Sequence, residues 1–383
     1  MTTNYDVIII GAGSIGVPAV LALSKNKKKV LCIDALASPG QANNKKAIGG
    51  VRATHSEYGK IKLCQRSIEI FSTWIAINGD NIGWLSNSYC YPAYNEKTEK
   101  NLKELLSIQQ SMGLNIVWID AEKLSELVPG IQMVNLQGGT YSPDDGSCSP
   151  LLAINAFYYK SLEYGATYKF NEVVNEIKFE NNIFQIKTNK DVYFSSFIIN
   201  AAGNNAQQIS KLAGFECNVI PDSHEAGITD PVKRFFEPMI VDTIPEIGSK
   251  NYYFYQNHEG QVVFCITPEP PIICNDSDAT SIFLPLCISR MLKIYPRLKN
   301  LNIRRQWRGQ YPMTPDGSPI IGKMKENEKF IQAVGMCGQG FMLGPGVGEI
   351  LNKIVDNTLS ENDKKILKSF DPYRGFSNIE KFK

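Results

Sequence analysis

Short apolar runs alternate with helical patterns at the start of the chain. Residues 5–10 (YDVIII) and 29–33 (KVLCI) are rich in β-branched residues, as in strands buried on both faces of a parallel sheet. Between them, apolar residues at helical spacing predict a helix with Pro18 in its first turn, where proline is tolerated. The pattern therefore predicts a strand, a helix and a second strand in immediate succession.

A similar pattern returns near the other end of the chain. Residues 330–334 (FIQAV) predict another strand, which a glycine-rich segment, residues 335–342, follows. A helical pattern then begins at Pro345, a residue that suits a first helical turn. We predict a second glycine-rich loop that leads into a helix N-terminus, where free N–H groups favour negative charge. The alternative is a glycine-rich turn that only closes the sheet.

Five further elements lie between these two loops. Residues 172–177 (EVVNEI) and 197–203 (FIINAAG) predict strands, and Ser56 begins a predicted helix with one apolar face. Residues 252–256 and 261–266 predict a hairpin, with a turn between them.

The first strand runs directly into residues 11–16 (GAGSIG), which have the G-x-G-x-x-G spacing. Gly11 permits the tight turn, Gly13 lets a pyrophosphate approach the backbone, and Gly16 lets the helix pack close to the strand. Asp34 ends the second strand, where a carboxylate can accept hydrogen bonds from a ribose hydroxyl. Spacing, context and acidic residue together predict a bound dinucleotide.

Composition and charge exclude several classes of function. The chain has 383 residues and a formal net charge of +2, so we expect no nucleic-acid partner. Nine scattered cysteines without a C-x-x-C pair argue against a disulfide framework, and we expect no metal site. No apolar run approaches about 18 residues and no signal-peptide pattern is present. We therefore expect a cytoplasmic protein without a membrane span.

Six segments resemble, in the same order, the D-amino-acid-oxidase-type FAD-dependent oxidoreductases. This family includes sarcosine oxidase, glycine oxidase and the catalytic subunit of archaeal and bacterial proline dehydrogenases. The segments are GAGSIG with Asp34, IGGVRATH at 48–55, SPDDGSCSP at 142–150, INAAG at 199–203, TPDGSPIIG at 314–322 and GQGF at 338–341. The resemblance extends over essentially the whole chain and implies FAD as the cofactor.

The resemblance also implies a mixed α/β fold. This fold has a Rossmann-like FAD-binding domain of the glutathione-reductase or hydroxybenzoate-hydroxylase type, with an inserted, mainly antiparallel substrate-binding domain. We expect residues 1–85, 145–215 and 305–383 to form the discontinuous FAD-binding domain. Residues 86–144 and 216–304 are then expected to form the substrate-binding domain.

The resemblance, together with the first glycine motif, assigns a set of residues to the FAD. They are Gly11, Gly13, Ser14, Ile15, Gly16, Asp34, Ala35, Asn44, Lys45, Ala47, Gly49, Gly50, Val51, Val174, Ala201, Ala202, Gly203, Gly309, Gly338, Gln339, Gly340, Phe341 and Met342. In monomeric sarcosine oxidase a cysteine five residues before the T-P-D segment holds the flavin covalently. That position is Gly309 here, so we expect non-covalent FAD. Cys337 is interpreted as a packing residue.

The candidate catalytic residues are Arg52, His55, His224 and Tyr255. The resemblance places Arg52 under the flavin. Sarcosine oxidases hold the substrate carboxylate with a second arginine and a lysine, and the matching positions here are His55 and Met342. His55 can pair with a carboxylate only if it is protonated. Arg308 is an alternative anchor.

Two strands are expected at the substrate side. His224 lies in SHEAGIT, a segment that resembles the strand lining the substrate in proline-dehydrogenase-like members. Tyr253 and Tyr255 alternate onto one face of their strand, which is either the wall of the active site or plain core. His258 lies in the predicted hairpin turn and is expected to be solvated.

The resemblance implies oxidation of a small amine or amino acid, such as proline, sarcosine or glycine. The reaction takes hydride from the carbon next to nitrogen to flavin N5 and gives an imine. Oxygen-using sarcosine oxidases carry a lysine on a strand that matches residues 261–266, which contain none. We therefore favour a dehydrogenase that passes electrons to a partner subunit or carrier. The alternatives are an FAD-dependent 2-hydroxyacid or glycerol-phosphate dehydrogenase and an electron-relaying flavoprotein subunit of a larger complex.

Overall fold

The computed structural model describes residues 4–377, and its helices and strands are numbered here along that range. The helices are α1 (Gly16–Lys25), α2 (Tyr58–Asn78), α3 (Glu96–Ser111), α4 (Ala121–Leu127), α5 (Pro150–Glu163), α6 (Ala206–Leu212), α7 (Phe283–Ile294), α8 (Gly340–Asp356) and α9 (Glu361–Lys368). The strands are β1 (Asn4–Ile10), β2 (Val30–Asp34), β3 (Gly50–Val51), β4 (Tyr89–Ala93), β5 (Val117–Ile119), β6 (Gly138–Ser142), β7 (Gly146–Ser147), β8 (Thr167–Phe170), β9 (Val174–Glu180), β10 (Ile183–Thr188), β11 (Val192–Asn200), β12 (Ile220–Thr229), β13 (Met239–Asp242), β14 (Ser249–Gln256), β15 (Val262–Pro268), β16 (Ile303–Met313), β17 (Ile320–Lys323) and β18 (Phe330–Val334).

The first sheet has the strand order β17-β18-β11-β1-β2-β8, and β10 and β9 extend it from β11. Strand β1 pairs in parallel with both β2 and β11, and β11 pairs in parallel with β18. Residues 7–10 of β1 are buried, as expected for an apolar run with a covered face on each side. The parallel pairing that the first two apolar runs predicted is therefore confirmed.

Helices α1 and α8 pack closely because two glycines face the α1 backbone. A Cβ on Gly344 would lie 2.1 Å from the Ser14 carbonyl oxygen, and one on Gly348 would lie 2.6 Å from that of Pro18. Pro18 lies in the first turn of α1, as predicted. The predicted start of α8 was wrong, because the helix begins at Gly340 and Pro345 lies one turn inside it. Glycines mask this first turn in the sequence, since they have low helix propensity and no apolar side chain.

The second sheet has the strand order β16-β12-β15-β14-β13-β4-β6-β5 and is antiparallel except between β4 and β13. Strands β14 and β15 form the predicted hairpin. Strand β16 pairs with β12 along most of its length, so residues 303–313 belong to this sheet. The predicted boundary at residue 305 thus falls inside a strand of the second sheet. A short third sheet pairs β3 with β7.

Two further observations concern residues 4–377. None of the helices in this range has the length and apolar character needed to cross a membrane. All nine cysteines of the chain are free thiols, and eight of them are buried.

Candidate functional site

A cavity of about 1670 Å³ is lined by residues from both large sheets. Its wall includes the loop between β1 and α1, the end of β2, residues 41–50, residues 201–205 and the glycine-rich segment 335–342. Strands β4, β12, β13, β14, β15 and β16 of the second sheet also contribute to the lining. All the predicted cofactor residues line this cavity except Gly16 and Val51.

The first glycine motif has the geometry that its spacing predicts. Gly11 has φ of +109°, and a Cβ on Gly16 would lie 1.7 Å from the Gly11 carbonyl oxygen. Gly13 lines the cavity, and a Cβ there would meet no atom of the described chain within 4 Å. The close approach at Gly16 keeps α1 against β1, so Gly16 acts from behind the cavity wall. The open space at Gly13 is therefore available to a pyrophosphate.

Asp34 lies at the end of β2 and lines the cavity. Its carboxylate accepts hydrogen bonds from the Ala12 amide at 2.6 Å and the Leu36 amide at 2.8 Å. Burial raises the pKa of Asp34 above its ordinary value, although these two amides act in the opposite direction. Glu172, which the sequence did not identify, also lines the cavity and accepts hydrogen bonds from Tyr193.

A short 3₁₀ turn at residues 44–46 links the cavity wall to neighbouring loops. Asn44 accepts a hydrogen bond from the Ser14 hydroxyl at 2.9 Å and donates one to the Pro150 carbonyl at 3.0 Å. The Lys46 carbonyl accepts a hydrogen bond from the Trp307 indole at 2.8 Å. These contacts hold the wall together from three separate parts of the chain.

The second glycine-rich segment turns sharply before α8. Cys337 and Gly338 both have positive φ, and a Cβ on Gly338 would lie 2.3 Å from the Tyr311 ring. Gln339 lines the cavity, and its buried Oε1 accepts no hydrogen bond within the described residues. The helix N-terminus at Gly340 and this unused acceptor both fit a large polar ligand with N–H groups and negative charge.

Arg52 lines the cavity, whereas His55 does not. The Arg52 guanidinium donates to the Thr54 carbonyl, and its Nη1 lies 3.3 Å from His55 Nδ1. His55 is fully buried, and its Nε2 lies 3.5 Å from Cys64 Sγ on α2. Burial, and secondarily the charges of Arg52 and Lys60, hold the pKa of His55 well below its ordinary value. His55 is therefore a neutral core residue and not a carboxylate anchor, which corrects the prediction.

The two tyrosines of β14 have different positions. Tyr253 lines the cavity, and its hydroxyl oxygen lies 3.2 Å from that of Tyr311. Tyr255 donates a hydrogen bond to the Ile48 carbonyl and is not among the residues that line the cavity. Tyr255, which was predicted to be catalytic, therefore lies outside the cavity lining and contacts the loop that holds Gly49, whereas Tyr253 lies at the cavity wall. Alternation along the strand correctly put both on one face.

His224 lies at the cavity wall in a closely packed cluster. Its ring stacks on Tyr311 with 3.8 Å between centroids and 20° between planes. His224 Nε2 lies 3.1 Å from Asp222 Oδ2, and all three residues line the cavity. Sequence reasoning found His224 but missed Asp222 and Tyr311. The register of β12 against β16, which places Asp222 opposite Tyr311, could have indicated the cluster only once the pairing was known.

Three other residues can now be placed. Arg308 does not line the cavity, because its guanidinium contacts Asp276 at 3.4 Å and Cys274 Sγ at 3.3 Å. Met342 lines the cavity, as predicted. Cys337 Sγ lies 3.3 Å from the Thr314 hydroxyl in a buried position, which agrees with a packing role.

The chain is similar to known proteins over most of its length. Residues 6–354 match the family described as FAD dependent oxidoreductase, so the chain belongs to this family and uses FAD. The predicted family, fold class and cofactor are thereby confirmed.

Individual relatives are distant in sequence and close in structure. The chain is 23% identical to hydrogen cyanide synthase subunit HcnC from Pseudomonas protegens, with 93% of each chain covered. It is 22% identical to glycine oxidase from Geobacillus kaustophilus, with 93% of this chain and 94% of that one covered. The crystal structure of L-proline dehydrogenase from P. horikoshii superimposes with a TM-score of 0.90 at 28% identity, covering 98% of each chain.

Proposed function

We propose that the chain oxidises a small amino acid with a primary or secondary amine, such as proline, sarcosine or glycine, at the carbon next to nitrogen. The observation that supports this proposal is an aromatic compartment where the cavity meets the second sheet. It is lined by Arg52, Tyr89, Tyr91, His224, Tyr253 and Tyr311. Bound FAD supplies the acceptor for the hydride of the substrate.

The compartment has the donors that a carboxylate needs. Arg52 is a permanent cation with a planar donor group. Burial raises the pKa of Tyr89 and of Tyr91, so both phenols stay protonated and can donate hydrogen bonds. A small amino acid could therefore place its carboxylate at Arg52 and its amine toward the opposite wall, at His224. The names of two similar proteins, glycine oxidase and L-proline dehydrogenase, support this substrate class.

We propose that the cavity holds FAD without a covalent bond. The residues that bind it are those that were predicted from the sequence and that line the cavity. Gly309 offers no side-chain atom for attachment, and a Cβ there would lie 3.1 Å from Lys46 Cβ. Acid precipitation of the purified protein should release all the yellow colour into the supernatant. Colour that stays in the washed pellet would contradict non-covalent binding.

We propose that the electrons leave through a partner subunit or carrier and not through oxygen. The cavity-lining residues of β15 are Cys265, Thr267 and Pro268, so this strand presents no lysine. Lys250 of β14 lines the cavity but pairs with Glu269 at 2.8 Å. Turnover should be much faster with a dye acceptor than with dissolved oxygen at equal substrate. Equal rates with both would identify an oxidase instead.

An alternative function is oxidation of a C–OH group in a 2-hydroxyacid or a glycerol phosphate. The buried pair of Asp222 and His224 favours it, because such reactions use a base beside the flavin. A second alternative is a subunit that relays electrons and has no substrate of its own. It would give the aromatic compartment no role.

The decisive experiment adds candidate substrates to the yellow protein without oxygen. Bleaching by L-proline, sarcosine, glycine or a D-amino acid would support amine oxidation and identify the substrate. Bleaching by 2-hydroxyacids alone would assign C–OH oxidation. A protein that no candidate bleaches would be a relay subunit.

A further inference from the structure

Asp222 connects His224 to a loop that covers part of the cavity. This loop, residues 271–278, is called the strap here, and it lines the cavity through Pro271, Asn275 and Ser277. Asp222 Oδ1 accepts a hydrogen bond from the Ile272 amide at 2.8 Å. The other carboxylate oxygen, Oδ2, lies 3.1 Å from His224 Nε2. One carboxylate therefore contacts both the strap and the histidine.

The ionised carboxylate determines which ring nitrogen carries the proton. Burial acts to raise the pKa of Asp222, but the His224 hydrogen bond and the Ile272 amide bring it below its ordinary value. An ionised carboxylate only accepts hydrogen bonds, so Nε2 of a neutral His224 must carry the hydrogen. His224 Nδ1 is then left with a lone pair.

That lone pair has no partner within the described residues. His224 is 8% exposed, it lines the cavity, and its Nδ1 accepts no hydrogen bond there. The stacked Tyr311 ring restricts rotation of the imidazole, so the nitrogen keeps its orientation. A buried acceptor without a donor is unfavourable, and a ligand that brings an N–H group removes the penalty.

We propose that Asp222 is a positioning residue that fixes His224 as an acceptor, and that His224 Nδ1 receives a hydrogen bond from the amine of the substrate. The second half of this inference rests on the proposed amino-acid substrate. Ligands that lack an N–H or O–H donor at this position should bind without this contact. The Ile272 amide of the strap holds Asp222 Oδ1, so the strap takes part in orienting His224.

Ionisable side chains are present on each of the elements packed around His224. They are Asp222 and Glu225 on β12, Lys250 and Tyr253 on β14, Cys265 on β15, Tyr311 on β16 and Cys274 on the strap. Burial raises the pKa of Tyr253, Cys265 and Tyr311, so all three stay neutral.

The tautomer of His224 can be measured directly, because the chain contains three histidines. Nitrogen-15 NMR of the histidine-labelled holoenzyme should show the Nε2–H tautomer for the signal that disappears in His224→Gln. In Asp222→Asn the new amide can still accept from Ile272, and it then donates to Nε2. The proton should therefore move to Nδ1. An Nδ1–H tautomer in the unaltered protein would overturn the proposal.

Paired ligands test the contact with the amine. The amino acid that bleaches the flavin is compared with its isostere in which oxygen replaces N–H, for example 2-tetrahydrofuroate for proline or methoxyacetate for sarcosine. Asp222→Asn should weaken binding of the amino acid by about tenfold or more and binding of the isostere by less than about twofold. Dissociation constants come from the concentration dependence of anaerobic flavin reduction for the amino acid and from flavin absorbance changes for the isostere.

The control variant is Asp276→Asn, which alters a strap carboxylate beside Arg308 and leaves Asp222 in place. It should leave both dissociation constants unchanged. Equal weakening of amino acid and isostere by Asp222→Asn would show that Asp222 only supports the fold, and would overturn the proposal. If no amine bleaches the unaltered protein, the proposed substrate class fails, while the NMR result still decides the role of Asp222.

Discussion

Tyr253 and Tyr255 lie on the same face of β14, and their hydroxyl groups have different partners. Tyr255 donates to the Ile48 carbonyl, next to Gly49 in the cavity wall. Tyr253 contacts Tyr311 at the substrate side of the cavity. Removing either hydroxyl group takes away one oxygen and leaves the ring. The two positions therefore separate support of the cavity wall from contact with a ligand.

Tyr255→Phe should lower the free energy of unfolding by about 1 kcal/mol, because the partly buried Ile48 carbonyl loses its donor. Tyr253→Phe should change the free energy of unfolding less and raise the dissociation constant of the substrate. Urea unfolding and anaerobic flavin reduction measure the two effects. The assignment would be wrong if Tyr253→Phe were the more destabilising variant and left substrate binding unchanged.

Arg52→Lys tests the proposed carboxylate contact. Lysine keeps the charge and loses the planar donor group, so substrate binding should weaken by about 1–2 kcal/mol while FAD stays bound. The dissociation constant of the substrate, from anaerobic reduction, gives the effect. Lys178→Arg, at an exposed lysine of β9 that does not line the cavity, serves as a charge-preserving control. Unchanged substrate binding in Arg52→Lys would remove Arg52 from the substrate site.

Local constraints were predictable at the residue scale, and tertiary orientations were not. The positions of Gly11, Gly13 and Gly16 follow from backbone geometry within one turn, so their spacing in the sequence was sufficient to predict their roles in the loop. His55 is three residues from Arg52, but packing against α2 turns it away from the cavity. Asp222 became recognisable only through its contact with the strap, which is 50 residues away.

At the element scale, the crossing of α1 and α8 depends on glycines. Gly344 and Gly348 are four residues apart on α8 and face the carbonyl oxygens of Ser14, just before α1, and of Pro18, in the first turn of α1. A methyl group at either position must push the helices apart. Both helices begin at the cavity, so their separation would also move the two glycine-rich loops.

Gly344→Ala should lower the free energy of unfolding of the FAD-free protein by about 1–3 kcal/mol through this overlap. Gly13→Ala is the matched comparison, because its Cβ meets no atom of the described chain within 4 Å. It should leave the FAD-free protein as stable as before and weaken FAD binding. Thermal unfolding and quenching of flavin fluorescence distinguish the two variants. Equal destabilisation by both would contradict the geometry.

Strands were easier to predict than helix ends and sheet membership. Buried β-branched runs gave β1, β2 and β18 to within one residue or so, because burial on both faces leaves few polar residues. The start of α8 was missed since Gly340 and Gly344 carry no apolar pattern. Residues 305–313 were expected in the FAD-binding domain, but they pair with β12 of the second sheet, and this pairing joins segments about 80 residues apart.

At the scale of the whole molecule, a buried carboxyl group makes stability depend on pH. Asp145 is 1% exposed and accepts a hydrogen bond from the Ala53 amide at 2.7 Å. Burial raises the pKa of Asp145 to about 7. Between pH 4 and 7 the unfolded chain loses this proton and the folded chain keeps it, so stability from this group falls as the pH rises.

Asp145→Asn should remove that loss, because an amide does not ionise. Relative to the unaltered protein, its free energy of unfolding should increase between pH 4 and 7, by up to about 4 kcal/mol. Urea unfolding of the FAD-free proteins at several pH values gives the difference. His55 acts in the opposite direction, because its depressed pKa makes the stability of the fold decrease as the pH drops below about 6.5. His55 is present in both proteins, so its effect cancels in the difference between them. A difference that does not vary with pH would contradict the pKa of Asp145.

The cavity wall joins residues from nearly the whole length of the chain. Gly13 follows the first strand, and Gln339 and Met342 stand only about 40 residues before the last residue. During synthesis, a ribosome releases the first glycine loop long before the second. The proposed flavin site is therefore completed only after residue 342 has been synthesised, and a nascent chain arrested before residue 338 should remain colourless. Yellow colour then reports that a polypeptide has been synthesised past its second glycine-rich segment and has folded.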